Sequence, residues 1–147
     1  MSETLINVLL VEDDKVDIMN VKRAFKKNKI ENPLFIAENG VEALEMLRGE
    51  NDKRILPLPR IILLDLNMPK MGGIEFLGIL RSDENLKNIS VFVMTTSNDD
   101  KDKVDAYNYN VAGYILKPLS MANFINAVSV LNNYWRLNVY PNEFGEN

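Results

Sequence analysis

Ile61-Ile62-Leu63-Leu64-Asp65-Leu66-Asn67-Met68-Pro69 is the stretch on which the fold turns. A purely aliphatic run stops at an acid and then at a turn closed by proline. A segment this short and this apolar offers no face to water, so it reads as a strand buried on both sides, as in a parallel sheet. Working outward, similar runs recur at Ile6–Val11, Leu34–Ala37, Val91–Met94 and Tyr114–Leu116. Between them the apolar spacing becomes that of helices. Val16, Met19, Val21, Ala24 and Phe25 are expected to share one side of a helix over 16–28. Val41, Leu44 and Leu47 repeat after an Asn39-Gly40 turn, and Ile74, Leu77 and Leu80 mark a third helix. A polar fourth helix over 101–109 has Val104 and Tyr107 as its expected contacts. Phe124, Ala127, Val128 and Leu131 form the stripe of a fifth over 122–135.

Alternating strands and helices imply an α/β fold with a doubly wound parallel sheet, because each parallel connection needs a crossover. Residues 49–60 contain Pro57 and Pro59 and are expected to form a surface loop, and the chain after Trp135 an irregular tail. The expected organisation is one domain over 1–136 and a tail over 137–147.

The 147 residues carry a net charge of -4, with 46% hydrophobic and 26% charged residues. That is enough apolar material for a core in one domain. The acidic balance and the lack of a Lys/Arg block argue against nucleic acid as a partner. The main basic group, Lys22, Arg23, Lys26, Lys27 and Lys29, reads as a solvated helix face. There is no cysteine and no histidine. Disulfides, thiolate metal sites and the commonest general base are therefore excluded, which leaves carboxylates, amines, hydroxyls and bound metal. The apolar run Leu5–Val11 is too short for a signal-peptide core or a membrane span and runs into acids, so a cytoplasmic protein without membrane association is expected.

The chemistry collects at the strand ends. Glu12, Asp13 and Asp14 follow the first strand, Asp65 ends the third, Thr95 and Thr96 the fourth, and Lys117 the fifth. Each alone is ordinary: acids cap helices, threonines end strands and lysines face solvent. Open α/β sheets place ligands at the carboxyl ends of their strands, and with strand order 2-1-3-4-5 these groups converge. Clustered carboxylates repel unless a cation joins them, and hard oxygen ligands suit Mg²⁺. An aspartate beside Mg²⁺ can attack phosphorus to form an acyl phosphate, while a lysine neutralises the charge on the transferred oxygens.

Val-Glu-Asp-Asp at 11–14, Ala-Glu-Asn-Gly-Val-Glu-Ala-Leu at 37–44, Leu-Asp-Leu-Asn-Met-Pro at 64–69, Met-Thr-Thr at 94–96 and Gly-Tyr-Ile-Leu-Lys-Pro at 113–118 together resemble the receiver domain of two-component response regulators. The resemblance runs from about Ile6 to Trp135. It implies a flavodoxin-like fold with Asp65 as phosphoacceptor. Glu12 and Asp13 would form the acidic pair, and Asp13, Asp65 and the Asn67 backbone carbonyl would hold Mg²⁺. Thr95, Thr96 and Lys117 would meet the phosphoryl group, and Thr95 and Tyr114 would be the switch pair. Asp14 would cap the first helix, and Lys117-Pro118 would be cis. Thr96 and Gly72 depart from the common pattern, where Ala and Asp are frequent.

The resemblance further implies a signalling protein that catalyses only its own phosphorylation and dephosphorylation. With little chain after Trp135, it is expected to stand alone in a phosphorelay. A sensor histidine kinase or phosphotransfer protein would act upstream, and a protein partner would dock on the face of the fourth helix, fifth strand and fifth helix. Tyr107, Tyr109 and Phe124 are candidate contacts there. Homodimerisation through that face, helped by Trp135, Tyr140 and Phe144, is a further expectation. The 49–60 loop, Thr95-Thr96-Ser97 and the Tyr134-Trp135 ending are similar to small regulators paired with phytochrome kinases. A phosphatase of the haloacid-dehalogenase class also uses an aspartate after a parallel strand, but its second acid is replaced here by Asn67. A receiver that binds partners without phosphorylation is the third reading.

Overall fold

A computed structural model describes residues 5–117 and 120–138. Five parallel strands, β1 (Val8–Val11), β2 (Leu34–Ala37), β3 (Ile61–Leu64), β4 (Ser90–Thr95) and β5 (Gly113–Leu116), lie in the order β2-β1-β3-β4-β5. Five helices alternate with them: α1 (Lys15–Lys27), α2 (Gly40–Arg48), α3 (Gly73–Ser82), α4 (Asp100–Asn108) and α5 (Met121–Leu137). This is the doubly wound, flavodoxin-like sheet expected from the sequence.

Successive residues of a strand face opposite sides of the sheet, so each apolar strand feeds two cores. Val8, Leu10, Ile61 and Leu63 pack beneath α1 and α5, whereas Leu9, Val11, Ile62 and Leu64 pack beneath α2, α3 and α4. Across the sheet, Val11 pairs with Leu64, which sets the residues after β1 and β3 side by side. The chain order reverses at this β1/β3 pair, where a crevice opens at the carboxyl edge.

The helices begin on polar caps. Asp14 accepts from the N–H groups of Val16 and Asp17, Asn39 from Glu42, Asp99 from Lys101 and Ser120 from Asn123. Gly72 caps α3 without a side chain. Its neighbour Gly73 is a steric requirement: a Cβ there would lie 2.6 Å from the Asp65 carbonyl oxygen and 2.7 Å from Leu66 Cα.

Several expected faces are corrected. Val16 and Met19 are exposed, and Ile18 joins Val21, Ala24 and Phe25 in the core. Val41 is exposed while Ala43 is buried, and Val104 and Tyr107 are exposed, leaving Ala106 as the buried residue of α4. The basic group of α1 is exposed, as a solvated face requires. The 49–60 segment is not a loose surface loop. Ile55 is 1% exposed, its N–H donates to the Met46 carbonyl, and Leu58 is buried with it. The Asn7 side chain donates to the Pro57 carbonyl at 2.7 Å, and Leu56-Pro57 is cis. Trp135 is buried at 3% exposure, its ring 6.0 Å from that of Phe25, and Phe124 is buried at 4%, so neither is a surface contact. The Lys117-Pro118 bond, Tyr140 and Phe144 lie outside the described residues. Among the described residues, no helix is long and apolar enough to cross a membrane.

Candidate phosphoacceptor site

Backbone pairing delivers the acids. The Glu12 N–H donates to the Ala37 carbonyl and the Asp65 N–H to the Val11 carbonyl, extending the ladder one residue past β1 and β3. Glu12 and Asp65 are thereby buried, at 3% and 6% exposure, while Asp13 faces water. One carboxylate oxygen from each of Glu12, Asp13 and Asp65 can be chosen so that all lie within 4.8 Å of one another. Like charges this close, two of them desolvated, need a counter-charge.

Lys117 supplies part of it. Its Nζ donates to Glu12 Oε1 at 2.7 Å and to Asp17 Oδ2 at 2.6 Å, and stands 4.0 Å from Asp65 Oδ2. The lysine side chain is only 7% exposed. Burial alone would depress its pKa, but the carboxylates of Asp17, Glu12 and Asp65 outweigh that and hold it above the ordinary lysine value. Burial pushes the Glu12 carboxyl up to about 7; the Lys117 hydrogen bond opposes the rise and the Asp65 charge adds to it. The second Glu12 oxygen accepts from the N–H groups of Asp13 and Asp14. A hydrogen-bonded, acid-rich notch results, open to water on the Asp13 side.

The hydroxyl residues form a second layer. Thr95 is fully buried at the end of β4, and its Oγ1 accepts from the Ser97 N–H at 3.3 Å. Thr96 is exposed and lies 3.5 Å from the Asn67 side-chain nitrogen, while the Asn67 N–H donates to Asp65 Oδ1 at 3.4 Å. The Tyr114 hydroxyl donates to the Ser97 carbonyl at 2.9 Å, and its ring lies 6.5 Å from that of Tyr107. Ser97 Oγ in turn donates to Asp102 of α4 at 2.6 Å.

The expected residues therefore fall into one acidic notch (Glu12, Asp13, Asp65, Lys117) and a flanking polar chain (Asn67 with Thr96; Thr95 with Tyr114, joined through Ser97). Two participants escaped the sequence reading. Asp17 carries no local signal beyond that of a first-turn acid, which the helix dipole alone would favour, and its partner lies 100 residues away. Ser97 looks like a turn residue, although it links Tyr114 to α4.

Residues 8–129 match the family model of the response regulator receiver domain. The chain belongs to this family. Among its curated relatives, the response regulator Rcp1 of Synechocystis sp. is 34% identical over 128 residues, which is 87% of each chain. The probable methanogenesis regulatory protein FilR2 of Methanothrix harundinacea is 38% identical over 129 residues, covering 87% of this chain and 82% of that one. The structure of the phosphorylated cyanobacterial phytochrome response regulator RcpA superposes with a TM-score of 0.84 at 31% identity, covering 93% of this chain and 98% of that one. Rcp1 solved with Mn²⁺ bound gives 0.82 at 32% identity, covering 92% and 97%. In this receiver the notch has the donor set for a divalent cation, since hard carboxylate oxygens at close range suit such an ion.

Proposed function

We propose that this receiver is an aspartyl-phosphate switch, with Asp65 accepting a phosphoryl group and Mg²⁺ as its metal. The observation that carries the reading is Asp65 itself: buried at the carboxyl end of β3, in one notch with Glu12 and Asp13, with the Lys117 ammonium 4.0 Å away. Asp13, Asp65 and the Asn67 carbonyl would hold the metal, with Glu12 fixing the notch behind them. When bound, the metal neutralises charge on the notch and on the phosphoryl oxygens.

The step is a phosphoryl transfer. An Asp65 carboxylate oxygen forms a bond to phosphorus as the donor's bond to phosphorus breaks. The electron pair leaves with the donor, a histidine imidazole of a kinase or the carboxylate of acetyl phosphate. Hydrolysis later returns the Asp65 carboxylate and inorganic phosphate. Lys117, already protonated and desolvated, supplies positive charge beside the transferred oxygens. Thr95 is the hydroxyl that would turn to the new oxygens, giving up its Ser97 contact, and Thr96 stands at the mouth of the notch. Because Tyr114 is tied to Ser97, movement there reaches β5 and α4.

The kinase we assign is of the phytochrome-linked histidine kinase class, supported by the likeness to Rcp1 and RcpA; a phosphotransfer protein could carry the same chemistry. Output runs through the face of α4, β5 and α5, in which α4 and β5 move against a fixed α5; Val104, Tyr107, Leu116 and Met121 stand exposed there for a downstream protein or a second copy. We take residues 1–136 as the receiver unit of a cytoplasmic protein, with α5 continuing through Leu137.

Incubation with Mg²⁺ and acetyl phosphate, followed by intact-mass measurement, tests the reading. The parent should gain one phosphoryl group, and Asp65→Asn or a reaction with chelator should gain none. Equal gain in Asp65→Asn would overturn it.

A further inference from the structure

We propose that Asp17 is a positioning residue of the switch: it competes with the phosphoryl group for Lys117. This rests on the reading of Asp65 as phosphoacceptor. The Lys117 ammonium is bonded to Asp17 and Glu12 at 2.6 and 2.7 Å but stays 4.0 Å from Asp65. Its shorter contacts are thus to the two acids of the β1–α1 segment, and the residue to be modified holds the longer one.

The partners are not equally easy to leave. The Glu12 side chain is buried and its other oxygen is fixed by two backbone N–H groups, so an uncompensated charge there would be buried. Asp17 is 27% exposed in the first turn of α1, and water can solvate it once the lysine departs. An ammonium carries three donors on a flexible stem with no fixed fork, so a partner can be exchanged by rotation. Phosphorylation turns the single negative charge of Asp65 into about -1.5 to -2 and sets three acceptor oxygens near the lysine. The exchange that leaves no buried charge unpaired gives up Asp17 and keeps Glu12. Asp17 therefore sets how strongly the unphosphorylated state retains Lys117, and so how far phosphorylation shifts the equilibrium.

Binding of beryllium trifluoride, a phosphoryl stand-in at Asp65, in the presence of Mg²⁺ measures this by calorimetry. Asp17→Asn should tighten it about five- to tenfold, the scale of a modest coupling between sites. Asp14→Asn removes a charge from the same turn without touching Lys117 and keeps the cap, since Asn caps as well as Asp. It should change binding less than about twofold. Asp17→Glu, which can restore the pair, should stay near the parent. Equal tightening in both Asn variants would reduce Asp17 to a bulk charge, and weaker binding in Asp17→Asn would make it a support for Lys117; either overturns the competition. A parent that binds no beryllium trifluoride and gains no phosphoryl group strikes the Asp65 reading itself, a different failure from an Asp17→Asn variant that behaves as the parent.

Discussion

The α1/α5 layer and α4 flank the same strand ends but are held by different means. Ile18, Val21, Ala24 and Phe25 of α1 interlock with Phe124, Val128, Leu131 and Trp135 of α5 in one core. Asn28, the C-cap of α1, ties the two helices further by donating to the Ile125 carbonyl at 3.0 Å. In α4 only Ala106 is buried, and its attachments near the site are polar, chiefly Ser97 to Asp102. Segments with few buried apolar contacts sit at the low end of local stability, where a change of arrangement costs least. The molecule thus places a fixed layer behind the acids and an adjustable helix beside the hydroxyls. A switch needs both, since one fixed side lets a small local event be read as displacement of the other.

The largest expected break in this comparison comes from the packed layer. Phe25→Ala should cost about 3–5 kcal/mol, as for a large aromatic removed from a core. Val104→Ala on α4 should fall within about 0.5 kcal/mol, as at an exposed position. Urea denaturation of both variants checks the pair, and similar losses would erase the distinction.

Gly73→Ala comes next. Its Cβ would meet the Asp65 carbonyl and Leu66 backbone, which cannot give way as a side-chain tip can. Overpacking of this kind costs about 1–3 kcal/mol. Because the push falls on the Asp65 backbone, phosphorylation from acetyl phosphate should slow as well, whereas Val104→Ala should leave its rate unchanged.

A smaller effect separates the site from both layers. Glu12 has a pKa raised to about 7 from an ordinary 4.5, so the folded state favours its protonated form. Its contribution to stability is therefore fully present below pH 4.5 and is lost as pH rises through about 7. In chelator, the melting temperature of the parent should fall over that window more than that of Glu12→Gln. Because a metal needs the deprotonated notch, apparent Mg²⁺ affinity should rise over the same window. A flat affinity across it would contradict the assignment of Glu12.

The strands and the acidic notch were legible because both depend on local sequence: aliphatic runs define the strands, and the residue after each run must lie at the carboxyl edge. Helix faces were legible only in part. Val16, Ile18, Met19 and Val21 are all apolar, so periodicity alone leaves the phase of α1 open, and tertiary packing selects Ile18 and Val21. In the 49–60 segment the prolines signal a loop but say nothing of Ile55, whose burial depends on α2 and the sheet. The role of Gly73 depends on how closely α3 passes the end of β3, and the Asp17–Lys117 pair on a contact spanning the chain. Trp135, an aromatic where the expected fifth helix meets a polar tail, reads as an interface residue, and packing against Phe25 places it in the core.

Hydrogen exchange with and without Mg²⁺ and beryllium trifluoride tests most directly whether a phosphoryl group at Asp65 resets one side of the molecule. Exchange should change in peptides over 95–116, spanning the end of β4, α4 and β5, and stay the same in peptides over 121–137 in α5. Asp65→Asn should show no change in either. Equal changes in both regions, or a response that persists in Asp65→Asn, would contradict the account.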